Sequence, residues 1–129
     1  MIMKKVLFML VVLVTSLLLI PAAFGHHGYA MFDTKAVVTL QATVTDFHWL
    51  NPHCIVEFEA KDEKGQVLDW QGELTSPSHL ATRGWSATTI EAGAQLTITG
   101  YRAKNGTPSI WVTKIVLANG KPLVIVGEN

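Results

Sequence analysis

Alternation of apolar and polar residues dominates the chain after residue 36. Val38, Leu40, Ala42 and Val44 fall on one face, with Thr39, Gln41, Thr43 and Thr45 opposite, so Val37 to Trp49 reads as one long strand. The phase then inverts: Phe47 and Trp49 are apolar while Asp46 and His48 are polar. A parity change inside a strand signals a β-bulge, which bends the strand and re-aims its side chains. Leu50-Asn51-Pro52 predicts a turn, and Cys54, Val56 and Phe58 alternate into a second strand with Ile55, Glu57 and Glu59 opposite. Asp62 to Gly65 forms a hairpin turn, and Leu68, Trp70 and Leu74 mark a third strand. Ser76-Pro77 has the form of an N-cap followed by proline in the first turn, and Gly84 fits the far end of a helix of about two turns. A fourth strand runs from Gln95 to Ala103 and a fifth from Ile110 to Leu117. Asn119-Gly120 then turns the chain into a short terminal strand from Leu123 to Val126.

Three strands, a short helix and two more strands is the element order of the OB-fold. The expected fold is therefore mainly β: a small OB-fold-like Greek-key barrel with one short helix between strands 3 and 4. An open β-sandwich is the main rival.

The first 25 residues follow a different grammar. Lys4 and Lys5 precede an apolar run from Val6 to Ile20, interrupted only by Thr15 and Ser16, and small residues follow Pro21. This is the pattern of a secretory signal peptide, too short for a comfortable membrane span and lacking a positive stop-transfer cluster. Cleavage after Gly25 is expected, leaving residues 26–129 as a single β-barrel domain, exported to the periplasm or the extracellular space, with no stable membrane span. Ten basic and ten acidic residues balance over the whole chain. Losing Lys4 and Lys5 makes the domain slightly acidic, so no nucleic-acid partner is expected. Cys54 is the only cysteine, which excludes an internal disulfide.

Histidine carries the candidate chemistry. Cleavage after Gly25 would begin the domain with His26-His27, giving an α-amine and imidazoles at one point. A cut after Ala23 would instead make His26 a third-position ligand. His48 and His53 flank the first hairpin turn and are expected to approach one another across it. Nitrogen-rich sets of this kind suit Cu(II). A metal site of His26, His27 and His53, with His48 as an auxiliary, is therefore expected, and Glu57 or Glu59 shares a face with His53 and could orient its ring. The bland alternative makes His48 and His53 ordinary turn residues and His26-His27 a frayed end; against fraying, Tyr29 to Phe32 is apolar enough to dock. Cys54 has the parity of the core.

Trp49 and Trp85 lie at element ends and, with Asn51 and Arg83, form a second candidate surface, Arg83 being placed to stack on Trp85. This surface suits a metal-free OB-type module for a saccharide, a cell-envelope component or a partner protein. No nucleophile–base pair, paired acids or phosphate loop is evident, so a binding protein is favoured over an enzyme.

Five segments together, His26-His27-Gly28-Tyr29-Ala30-Met31-Phe32-Asp33, Thr39-Leu40, Trp49-Leu50-Asn51-Pro52-His53, Arg83-Gly84-Trp85 and Gly100 to Gly106, resemble a family of small exported bacterial proteins known as a domain of unknown function. The resemblance implies export and a compact β-rich domain, and draws attention to His26, His27, Trp49, Asn51, Pro52, His53, Arg83, Gly84 and Trp85. Gly28 stands where a serine is expected, and His48 lies outside the pattern.

Overall fold

A computed structural model describes residues 1–6 and 27–126, with backbone only for His27 and Gly28. Most of the expected signal segment, together with His26, lies outside the described residues. No helix among those described is long and apolar enough to cross a membrane.

A short helix α1 (His27–Ala30) leads into strand β1 (Phe32–His48). Strands β2 (Ile55–Lys61) and β3 (Val67–Glu73), helix α2 (Pro77–Ala81), then β4 (Gln95–Ala103), β5 (Ser109–Leu117) and β6 (Pro122–Leu123) complete the order. The sheet is antiparallel in every pairing but one: β3 and β5 run parallel through three residue pairs. That contact closes the sequence of neighbours β1–β2–β3–β5–β4–β1 into a barrel-like ring, not evenly disposed about an axis, with β6 on the flank of β5.

The length of β1 makes the ring possible. Its first part pairs with β4 and its last part with β2, Thr43 contacting both. Between Val44 and Asp46 the register against β2 shifts, so the expected bulge falls at the predicted phase flip. Before it, Leu40, Ala42 and Val44 face the core; after it, Phe47 packs 6.2 Å from the Trp85 ring while Asp46 is exposed. β1 also begins earlier than alternation predicts. Phe32 and Asp33 pair with Ala103 and Arg102, but an irregularity separates them from the ladder that resumes at Val37, and Thr34 to Ala36 carry no periodic signal.

Val56, Phe58, Trp70, Leu74, Ile98, Ile110 and Val112 fill the interior, joined by Leu80, Trp85 and Ile90 from the segment around α2. Ser76 Oγ accepts the His79 N–H and Pro77 stands in the first turn, as the cap signature predicts. The final strand is shorter than expected. Val124 to Val126 leave the ladder because the Val124 carbonyl accepts the Trp85 indole N–H at 2.8 Å, while Ile125 is buried.

Cys54 is wholly buried, and its backbone is bonded to Thr75 and Leu74. Burial raises its thiol pKa. The fold thus favours the neutral thiol, a contribution present at lower pH and lost as pH rises through the raised value. Native protein is expected to resist thiol alkylation at pH 8 and to take up one equivalent in urea. Rapid labelling without denaturant would contradict this burial.

Candidate functional site

The register aligns one outward row across five strands: His48 pairs with Ile55, Ile55 with Glu73, Glu73 with Trp111, and Trp111 with Tyr101. Side chains paired in this way share a face of the sheet. His53 precedes β2 with the parity of Ile55, which directs it toward Glu73. Its Nδ1 lies 2.5 Å from Glu73 Oε1. Its ring stands edge-on to Trp111, with centroids 5.3 Å apart and planes at 89°.

Trp111 also receives the head of the domain. Tyr29, in α1, meets it edge-on at 5.6 Å and lies 6.2 Å from Tyr101; Phe32 packs on it at 6.1 Å. The Met31 carbonyl accepts the Lys104 N–H, fastening the same segment to the end of β4. Tyr29 and Phe32 therefore dock on the tryptophan that His53 touches, while Ala30 and Met31 between them stay exposed. A cleft of about 280 Å³ opens beside them, lined in part by Tyr29, Tyr101, Trp111 and Ile125.

The two turn histidines keep separate company. His48 Nε2 lies 3.3 Å from Glu57 Oε1 and 3.7 Å from Asp46 Oδ2, not in a shared group with His53. The carboxylate beside His53 is Glu73, and neither Glu57 nor Glu59 takes that place. The register explains the difference, because Glu57 stands opposite Asp46 and Gln71 while Glu73 stands opposite Ile55.

The expected aromatic surface changes character. Trp85 is 5% exposed and belongs to the core, its indole N–H satisfied by Val124, so it offers no face to a ligand. Arg83 does not stack on it: its guanidinium donates from Nη1 to the His79 carbonyl at 2.7 Å. The cation–π pair among the described residues is Arg102 over Trp70, at 4.7 Å. Trp49 is half-buried against Phe47, and Asn51 is exposed in a turn whose bond to Pro52 is cis. His79 is exposed, with Nδ1 3.0 Å from Thr75 Oγ1. Sequence reading missed Glu73 as the partner of His53 and Trp111 as the hub, since both roles depend on the parallel contact between β3 and β5.

A family of unknown function, DUF6152, matches residues 14–110. The chain belongs to this family. The part matched to DUF6152 contains all five histidines and Glu73, and stops one residue before Trp111. No curated protein and no solved structure matches the chain significantly. The DUF6152 description carries no activity, so any functional reading stands on the geometry.

Proposed function

We propose that the chain is an exported, non-catalytic OB-type barrel that binds a copper ion at one rim through His26, His27 and His53. The ring order, with a helix between β3 and β4, supports the OB assignment. The export reading rests on the N-terminal apolar run and its small-residue end.

One observation carries the copper reading: His53 and the segment that follows His27 pack on the same tryptophan. His27 stands two residues before Tyr29, within one helical turn of that contact. Glu73 supplies what a metal-binding imidazole needs. A proton on Nδ1 directed to the carboxylate leaves the Nε2 lone pair for the metal and fixes the ring. An amine with imidazoles then completes a nitrogen set suited to Cu(II). His48 faces Asp46 and Glu57 and is left out of this set.

Calorimetric titration of protein beginning at His26 is expected to give Cu(II) binding at micromolar or tighter Kd. Affinity should weaken toward pH 5 as amine and imidazoles protonate. His53→Ala should lower affinity at least about tenfold, and Glu73→Gln by about ten- to a hundredfold through loss of ring orientation. No copper binding, or equal binding by His53→Ala, defeats the reading.

The cleft beside Tyr29, Tyr101 and Trp111 favours a second reading, a metal-free module that stacks a saccharide or envelope component on aromatic rings. Binding of such a ligand would be abolished by Trp111→Ala and unaffected by removal of His26.

A further inference from the structure

Asp46, His48 and Glu57 lie on the outer face at the bulge of β1, apart from the set proposed for copper. Each offers one donor atom, and the three donors all lie within 4.8 Å of one another. We propose that they form a second cation site, one that takes a divalent metal of borderline character such as zinc.

Three observations point the same way. The first is the bulge. Val44 pairs with Phe58, so in an unbroken ladder Thr45 would stand opposite Glu57; the shift places Asp46 there instead. The same shift puts His48 two residues along from Asp46 on the same face. The second is electrostatic. Asp46 and Glu57 are direct cross-strand partners, and like charges so placed destabilise a sheet unless a cation lies between them. The third is the imidazole. His48 Nε2 is buried as an atom and has no hydrogen-bond partner, although a carboxylate oxygen stands 3.3 Å away. Glu57 Oε1 is not aligned to accept a proton there, and Asp46 Oδ2, at 3.7 Å, lies beyond hydrogen-bond distance.

A metal ion fits all three. Zinc bonds of about 2.0–2.2 Å to nitrogen and oxygen put tetrahedral donors roughly 3.4 Å apart. The His48 nitrogen lies 3.3 and 3.7 Å from the two carboxylate oxygens. Asp46 is already oriented: its Oδ1 accepts the Phe47 N–H at 2.8 Å, which leaves Oδ2 toward His48. Two carboxylates and a neutral imidazole balance a divalent charge. Their oxygen-rich composition separates this site from the nitrogen set proposed for copper. Three protein donors leave a fourth position to water.

Zinc titration at pH 7.5 of the wild type, Glu57→Gln, His48→Gln and His53→Ala tests the proposal independently of the copper reading. One zinc equivalent is expected in the wild type and in His53→Ala, with affinity at least about tenfold weaker in Glu57→Gln and His48→Gln. Zinc should raise the Tm of the wild type and not that of Glu57→Gln. Metal-free Glu57→Gln should be at least as stable as the wild type, since it removes a like-charge pair, whereas a purely structural His48–Glu57 ion pair would make it less stable. Equal zinc affinity in all four proteins, or a loss confined to His53→Ala, overturns the proposal. The copper titration of His53→Ala reads the rim separately, so either site can fail alone.

Discussion

Gly100→Ala is expected to cost about 3 kcal/mol or more, beyond ordinary overpacking of a core. The position needs no unusual backbone angle, so the cost is spatial. At the register shift between Thr99 and Gly100, the backbone of the paired strand β5 comes close to Gly100. A methyl group on Gly100 would overlap the Trp111 carbonyl oxygen and come 3.0 Å from the carbonyl carbon, with Ile110 Cδ1 at 3.2 Å. A side chain can rotate away from an intruder, but a strand carbonyl moves only with its strand. Gly72 is crowded by side chains instead: a methyl there would meet methyls of the buried Val112 and Val56 at 2.8 and 2.9 Å. Urea unfolding should show a fall in midpoint of more than about 1 M for Gly100→Ala. An unchanged midpoint would mean that the β4–β5 ladder has slack. The substitution also presses on the backbone of Trp111, which holds both His53 and Tyr29.

The close approach at Gly100 shows where sequence reading stops. A glycine inside a strand is visible as an anomaly, but the neighbour that requires it is on another strand. Features written in local periodicity were legible. The bulge appeared as an inversion of parity at Asp46, the α2 cap as Ser76-Pro77, and the core parity of Cys54 as alternation with Val56 and Phe58. Features decided by long-range register were not. Ring closure rests on three parallel pairs between β3 and β5, a contact with no local signature. That contact brings Trp111 beside Glu73, and hence beside His53.

The misreadings have the same origin. Trp85 looks like a surface residue because it follows a short helix and a glycine. It is buried because a carbonyl 39 residues later takes its N–H. His48 and His53 look like a pair because a turn joins them. The register gives them different carboxylates: Glu57 stands opposite Asp46 beside His48, and Glu73 opposite Ile55 beside His53. What the sequence offered as one histidine site with an auxiliary resolves into two carboxylate-supported positions on one face of the sheet.

Trp70→Ala is expected to cost about 3–5 kcal/mol, against a total stability of about 5–15 kcal/mol for a domain of ordinary stability. Trp70 is 2% exposed and the largest of the fully buried side chains. It stacks on Phe58, its cross-strand partner, with planes at 8° and centroids 6.4 Å apart. Its indole N–H donates to the Ala60 carbonyl at 3.2 Å, and the Arg102 guanidinium lies over its ring. Truncation would therefore open a cavity, strip Phe58 of its stacking partner and leave Arg102 without the ring beneath it. The last effect matters because Arg102 Nε is buried without a hydrogen-bond partner, so the π-face is part of what offsets its desolvation. Trp70→Phe keeps an aromatic ring and most of the volume and should cost about 1–2 kcal/mol, mainly the lost N–H bond and a smaller void. With a urea dependence of about 1–3 kcal/mol/M, the mid-range costs put the two midpoints about 1 M apart. If alanine costs no more than phenylalanine, the stacked ring contributes little and the barrel is held elsewhere. A large gap places the β2–β3 hairpin among the main supports of the ring, because both stacked residues belong to it.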